Sequence, residues 1–325
     1  MAIRSMALAL MTLVGLVGCT PDPIGTPDPT PSETRVAHTT TTTPPSPSVG
    51  QLVSVQVTVA EGTNPGSAEG QSIKLPQGWT AEVWASIPGA RIAAWDPNGS
   101  LLVSNGKGGT VTRLTPTEDG KAPKQEAIIT GLNNPQGLGF ALSGKYLVVG
   151  EGDKIVTYEY ANGHATNPRT IVGDLPTSGH GSKGIAISGD IVYYSLGSED
   201  NRDPQSREQT PERATIWQAS IYGDGNKVVA RGVRNGFALA IAPDTTLFAG
   251  VNQMDNQPYP FDDETGQLGL NVPEYINENP IEQVTRITPG IDLGWPFCVP
   301  DTRETPTNID LRCVDEQSCL APLTA

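Results

Sequence analysis

Four side chains, spread along the sequence, could together move a proton and hold an anion. His180 lies between two glycines, the pair Arg234–Asn235 comes later in the chain, and Gln136 comes earlier. A histidine titrates near neutral pH and can act as a general base. A guanidinium and two amides beside it would bind an oxidised, anionic ligand and stabilise developing negative charge. The alternatives are a structural histidine that caps a turn and a water-filled channel lined by polar groups.

Other kinds of catalytic chemistry have weaker support in the sequence. His38 lies in a segment rich in Pro and Thr, and His164 lies in an Ala-Asn-Gly-His turn. The sequence contains no Gly-x-Ser-x-Gly elbow, no phosphate-binding Gly-rich loop before a helix and no His-Glu-x-x-His zinc helix. A calcium-dependent lactonase would need several carboxylates around the site, where the sequence offers neutral or basic residues. A redox or binding role is therefore favoured over hydrolysis.

The polar positions belong to a repeat. A unit made of a turn followed by a short apolar run begins at Asn98, Ser143, Ser188 and Pro243, so the starts fall 45, 45 and 55 residues apart. This period is typical of stacked β-sheet units, as in a β-propeller, rather than of a helical solenoid. The 36 glycines and 29 prolines suit many short strands with tight turns. We therefore predict an all-β chain that forms a β-propeller, with about four to five blades present.

Each repeat predicts an innermost strand before the apolar run and a further strand after it. The innermost segments are 90–95, 135–140, 181–186 and 234–239, and the further strands are 110–114, 154–158, 215–219 and 283–287. Innermost strands line the central channel of a propeller, so the residues just before them converge at one mouth. This places the four polar side chains together. The insertions 197–214 and 251–279 are predicted to build a binding face, with surface decoration as the alternative.

The first 50 residues are predicted to be an address and a tether. Arg4 precedes the apolar stretch 6–17, and Leu16-Val17-Gly18-Cys19 resembles the lipobox of bacterial lipoproteins, in which Cys19 would carry the lipid. An ordinary secretory signal is the alternative. Residues 20–50 are rich in Pro, Thr and Ser and have too few apolar groups to offset the entropy of ordering. We expect residues 51–325 to form the propeller domain, anchored to the membrane through Cys19 on the extracytoplasmic side of a bacterial cell envelope.

Charge and cysteines narrow the partners and the compartment. The net charge of -14 argues against a nucleic-acid partner, which would require a basic patch, and is compatible with a cation such as calcium. Besides Cys19, the cysteines are Cys298, Cys313 and Cys319. Outside the cytosol a disulfide is the usual state, here between Cys298 and either Cys313 or Cys319, with one thiol left over.

Four segments resemble the glucose/sorbosone dehydrogenase family. They are 131–138 (Gly-Leu-Asn-Asn-Pro-Gln-Gly-Leu), 179–181 (Gly-His-Gly), 232–236 (Gly-Val-Arg-Asn-Gly) and 288–298, whose Gly-Trp-Pro-Phe-Cys end is the most specific piece. The resemblance covers roughly residues 72–300. It implies a six-bladed propeller that oxidises an aldose or sugar aldehyde with pyrroloquinoline quinone (PQQ) and calcium. A non-catalytic propeller that binds a carbohydrate or a protein is the alternative.

The resemblance also implies a role for each polar residue. His180 corresponds to the base that takes the proton of the sugar hydroxyl while a hydride passes to the quinone. Arg234 and Asn235 correspond to the pair that contacts the quinone carbonyls, and Gln136 to a further contact. Asp255 lies in a loop that resembles a motif near the cofactor and calcium, with Met254 where an arginine is expected.

The number of repeats and the last residues of the sequence both suggest an incomplete propeller. The segment 319–323 (Cys-Leu-Ala-Pro-Leu) resembles a His-Ala-Pro-Leu stretch after which the family continues with a further blade. Four repeats and a beginning do not close a six-bladed ring. We therefore expect a chain truncated at its C-terminus, or one that another chain completes.

Overall fold

A computed structural model describes residues 52–300 and 311–313, and most of their regular structure is β-strand. The first sheet has three strands in the order β2-β1-β3. These strands are β1 (Leu52–Val59), β2 (Ser72–Pro76) and β3 (Ala81–Val83). Strand β1 pairs with β2 in antiparallel and with β3 in parallel orientation. Along β1, exposed and half-buried residues alternate, as expected for a strand with one face against the protein.

Four further sheets are the blades, and in each of them consecutive strands pair in antiparallel fashion. Blade 1 comprises β4 (Ala90–Trp95), β5 (Leu101–Asn105), β6 (Thr110–Thr115) and β7 (Lys124–Ile129). Blade 2 comprises β8 (Leu138–Ala141), β9 (Tyr146–Gly150), β10 (Ile155–Ala161) and β11 (His164–Val172). Blade 3 comprises β12 (Ile185–Ser188), β13 (Ile191–Leu196), β14 (Thr215–Ser220) and β15 (Lys227–Ala230). Blade 4 comprises β16 (Asn235–Ile241), β17 (Leu247–Asn252) and β18 (Gln283–Ile287).

Short helical segments and one strand pair complete the described chain. The 3-10 helices span Gly66–Ala68, Leu142–Gly144 and Pro204–Glu208, and the α-helix α1 spans Pro273–Ile276. The strands β19 (Cys298–Pro300) and β20 (Leu311–Cys313) pair in antiparallel orientation, with Cys298 opposite Cys313. Cys298 is disulfide-bonded, as the sequence predicts for this cysteine.

Local sequence explains the hairpins that build the blades. In the turn between β4 and β5, the Asp96 carboxylate accepts hydrogen bonds from the backbone N–H groups of Asn98 and Ser100, each at 2.8 Å. Gly99 adopts a φ of 83°, which residues with a Cβ rarely tolerate. The second carboxylate oxygen of Asp96 accepts a hydrogen bond of 2.7 Å from the hydroxyl of Tyr160 in blade 2. One turn residue therefore both shapes a hairpin and joins two blades.

The hydrophobic core lies between successive blades. Three clusters of buried aliphatic and aromatic side chains join blade 1 to blade 2, blade 2 to blade 3 and blade 3 to blade 4. The innermost strands β4, β8, β12 and β16 contact one another in series. This arrangement confirms the predicted all-β propeller, and the further strands of the repeat coincide with β6, β10, β14 and β18 within three residues.

Several predictions from the sequence fall outside the described residues. These are the lipobox with Cys19, the tether, and the pairing of Cys319. Within the described part of the chain, no helix is long and apolar enough to cross a membrane.

Candidate active site

The loop that carries His180 connects β11 to β12 and is fastened by a buried lysine. Lys183 is 1% exposed, and its ammonium group donates hydrogen bonds to the carbonyl oxygens of Pro176 at 2.8 Å and Gly181 at 2.5 Å. Burial, together with the nearby charge of Arg213, lowers the pKa of Lys183 to about 8. One ammonium group therefore fixes the backbone on both sides of His180, at Pro176 and at Gly181.

His180 itself is half-buried and is held by Ser198. Its ring Nδ1 lies 3.0 Å from the carbonyl oxygen and 2.9 Å from the hydroxyl oxygen of Ser198. The backbone N–H of His180 donates to the same carbonyl at 2.9 Å. Burial and the positive charge of Arg234 lower the pKa of His180, so the ring is neutral at neutral pH and can accept a proton.

Arg234 is joined to His180 through the same serine. The backbone N–H of Ser198 donates to the carbonyl oxygen of Arg234 at 2.7 Å. Arg234 is 3% exposed, and its guanidinium donates to the backbone and side-chain oxygens of Asn201 at 3.1 and 2.8 Å. Burial lowers the pKa of Arg234, and the carboxylate of Asp255, 3.4 Å from Nη2, opposes that effect. The structure therefore brings the predicted base and the predicted arginine together.

Asn235 reaches the same place because a glycine leaves room for it. A Cβ atom added to Gly197 would lie 2.4 Å from the Cβ of His180, 2.7 Å from the His180 carbonyl oxygen and 3.3 Å from the side-chain oxygen of Asn235. Asn235 is the first residue of β16, and Gly197 directly follows the end of β13. The close approach of His180 and Asn235 thus depends on the absence of a side chain at position 197.

Gln136 lies in a second polar cluster, which borders an open cavity of about 710 Å³. Its buried side chain accepts a hydrogen bond of 2.9 Å from Arg91 and donates one of 2.7 Å to Asn134. The guanidinium of Arg91 also lies over the ring of Phe237, 5.9 Å from its centre. Because Arg91 belongs to β4 and Phe237 to β16, the first and fourth blades meet here. The cation–π contact links Gln136 to the strand that begins with Asn235.

Asp255 lies next to cations rather than among other carboxylates. Its exposed carboxylate faces Arg234, and the backbone oxygens of Asp255 and Asn256 accept hydrogen bonds from Arg202. In the part of the chain that the structure covers, no three His, Cys, Asp or Glu side chains are grouped as metal ligands would be. The assignment of Asp255 as a calcium ligand therefore stays a prediction.

Sequence reasoning missed the buried residues whose hydrogen bonds fix the backbone around His180. Arg213 is 1% exposed and donates to the carbonyl oxygens of Gly197, Ser178 and Ser198 at 2.8, 2.8 and 3.0 Å, and it pairs with the carboxylate of Glu199. Most of this network comes from the insertion 197–214, which was predicted as a binding face. The length of that insertion was the available signal, because buried polar contacts leave no periodic pattern in a sequence.

The fold and the site together define an all-β propeller with a histidine and an arginine where its inner strands begin. The sequence profile of the TrAA12-like family matches residues 73–316. The chain therefore belongs to the TrAA12-like family, and the prediction of a propeller related to the PQQ-dependent sugar dehydrogenases is confirmed. No curated protein sequence matches the chain.

Solved structures with the same fold include two from fungi. The holo form of the PQQ domain of pyranose dehydrogenase from Coprinopsis cinerea is 20% identical, with a TM-score of 0.64 over 78% of this chain and 65% of that chain. The calcium structure of a Trichoderma reesei carbohydrate-active enzyme of family AA12 is 21% identical, with a TM-score of 0.58 over 71% of this chain and 63% of that chain. This chain thus spans slightly less than two thirds of each. At these identities the likeness establishes the fold.

Proposed function

We propose that this protein oxidises an aldose or a sugar aldehyde with PQQ as the cofactor and calcium as its companion ion. Membership of the TrAA12-like family and the propeller fold support this class of reaction. The observation that carries the proposal is the pair His180 and Arg234, whose backbones bond to the C=O and to the N–H of the same residue, Ser198. A proton acceptor and a fixed positive charge therefore stand side by side, as the oxidation of an alcohol by a quinone requires.

The residues divide the work in a simple way. His180 accepts the proton of the sugar hydroxyl, because its lowered pKa keeps the ring neutral. When bound, PQQ supplies the electron pair acceptor. Within the described residues, Arg234 makes four donor contacts to protein oxygens, and a guanidinium has five N–H groups, so one remains there for a ligand oxygen. Asn235 adds a side-chain amide close to the histidine.

The donors present suit an anionic quinone. Arg91 and Lys107 border the cavity beside Gln136, so that cluster offers two positive side chains and an amide to a polar anion. Calcium prefers six to eight oxygen ligands, and the oxygens around Asp255 face arginines. Calcium would therefore bind here only together with a bound anionic cofactor, and the roles of His180 and Arg234 do not depend on Asp255.

Reconstitution of the purified protein tests this function. Sugar-dependent dye reduction is measured with PQQ and calcium for the wild type, His180→Ala and the matched control His164→Ala, whose histidine is exposed in blade 2. Loss of a general base lowers the rate by about 10²–10⁴-fold, so we expect that loss for H180A and none for H164A. Failure of the wild type to bind PQQ would overturn the proposal. Sugar binding without quinone binding would instead favour a non-catalytic propeller.

The cell-envelope location is part of the same proposal and follows from the lipobox-like segment around Cys19. Expression in a bacterium with labelled palmitate should label the wild type and leave Cys19→Ala unlabelled. A wild-type protein that takes up no label would remove the membrane anchor from the proposal.

A further inference from the structure

The side of the His180 ring that faces Ser198 meets two oxygens with fixed roles. The first is the backbone carbonyl oxygen of Ser198, which can only accept a hydrogen bond. The second is the hydroxyl oxygen of Ser198, whose hydrogen is donated to the carbonyl of Asp200 at 2.7 Å. A hydroxyl has one hydrogen, so towards the ring this oxygen also acts as an acceptor. Both neighbours of Nδ1 therefore require a proton on Nδ1.

The opposite ring nitrogen is in a different situation. Among the residues that the structure describes, Nε2 of His180 has no hydrogen-bond partner. In a neutral imidazole with its proton on Nδ1, the lone pair lies on Nε2. This is the arrangement that a general base needs, because the atom that accepts the proton is the one not used to hold the ring.

Ser198 is itself held rigidly. It is fully buried, its backbone N–H donates to the Arg234 carbonyl, and its carbonyl also accepts a hydrogen bond from the buried Arg213 at 3.0 Å. We propose that Ser198 is a positioning residue that fixes the proton of His180 on Nδ1 and so leaves Nε2 to accept the proton of the sugar. This inference rests on the proposed function for the role of Nε2, although the state of the ring can be measured without any cofactor.

The surroundings of the ring favour its neutral form. The charged groups around His180 and its loop are the cations Arg234, Arg213 and Lys183 and the anions Asp255 and Glu199. Ser198 contributes oxygens without a charge, and in the described part of the chain no carboxylate bonds to the ring. An aspartate at position 198 would therefore add the negative charge that is absent at Nδ1, and it would raise the pKa of His180.

Nitrogen-15 chemical shifts of the imidazole ring test the proposal in the cofactor-free protein. The chain has three histidines, and comparison with His180→Ala assigns the signals. We expect a proton-bearing Nδ1 and an unprotonated Nε2 in the wild type at neutral pH. Ser198→Ala should move the shifts towards a mixture of tautomers, and Ser198→Thr, which keeps the hydroxyl, should retain the wild-type pattern. Wild-type shifts in S198A would overturn the proposal.

Kinetics of the reconstituted protein give a second readout. We expect S198A to lower kcat by about ten-fold with little change in KM, because the backbone carbonyl still orients part of the population. Ser198→Asp should shift the acidic limb of the pH–rate profile to higher pH. If S198A folds poorly, the pH–rate profiles of S198D and S198T are compared instead. Identical profiles in these two variants would contradict the proposal. A wild type without sugar oxidation refutes the proposed function, while the nitrogen shifts still report on Ser198.

Discussion

The two polar clusters of this propeller are built on opposite principles. The histidine sector, comprising His180, Ser198, Arg213 and Arg234, buries its charges and bonds them to backbone carbonyls. The glutamine sector, comprising Gln136, Arg91 and Asn134, joins side chain to side chain beside an open cavity. Groups held by buried backbone contacts keep one geometry, whereas groups at the edge of a cavity can adjust to a ligand. The first sector suits a proton transfer, and the second suits binding.

Removal of Arg213 is the most severe way to break the histidine sector. Arg213→Leu leaves Glu199 without its cationic partner. It also removes the guanidinium donor from three backbone carbonyls, of which that of Ser198 keeps the backbone N–H of His180. Each buried carbonyl left unsatisfied costs about 1–3 kcal/mol, so we expect a loss of stability of about 2–6 kcal/mol. Denaturant unfolding should show this loss, whereas the control Arg231→Leu, which removes an exposed pair with Glu212, should cost less than about 1 kcal/mol. Equal losses in the two variants would contradict the comparison.

A matched pair of glycine substitutions separates the two sectors more finely. A Cβ at Gly197 meets the Cβ and the backbone of His180, which cannot move away. A Cβ at Gly106 meets the side-chain ends of Asn134 and Gln136, which can. We expect Gly197→Ala to cost about 1–3 kcal/mol and Gly106→Ala less than about 0.5 kcal/mol. Thermal unfolding of the two variants checks this. A larger effect at position 106 would reverse the assignment of the rigid sector.

The pH dependence of stability provides the smallest effect. The pKa of Lys183 is about 8 in the folded protein and 10.5 in the unfolded chain, so between these values the unfolded state binds more protons. Stability should therefore rise from pH 7.5 to 9.5, by on the order of 1–2 kcal/mol. Buried tyrosines, such as Tyr158 with its pKa raised to about 12, oppose this only above pH 10.

Urea unfolding at several pH values measures this rise. Lys183→Met should abolish it, and Lys154→Met, at a partly exposed lysine, should preserve it. A rise that survives in K183M would show that another group titrates there.

The sequence predicted the strands well because each strand carries its own local pattern. The predicted segments 110–114 and 283–287 correspond to β6 and β18, since alternation and turn residues act over a few positions. The position of Asn235 at the start of an innermost strand followed from the same repeat.

The buried polar network could not be predicted in the same way. Arg213 bonds to Ser178 across 35 residues of sequence, and Arg234 bonds to Asn201 across 33. Such partners are brought together only by the folded structure. In the sequence, an arginine that becomes buried cannot be distinguished from one that stays on the surface. Met254 illustrates the opposite case: an apolar residue in a polar loop motif proves to be buried.

Each blade is made of strands that follow one another along the chain, and this has a consequence for how the protein is made. In blades 1 and 2 the pairing of consecutive strands closes short loops, whereas blades 3 and 4 must also close the insertions 197–214 and 251–279. The first two blades can therefore form sooner after their last strand leaves the ribosome. His180 stands before blade 3, but Arg234 and Asn235 enter only with blade 4. During synthesis the histidine sector can therefore be completed only after the glutamine sector, because Arg234 and Asn235 are made after Gln136.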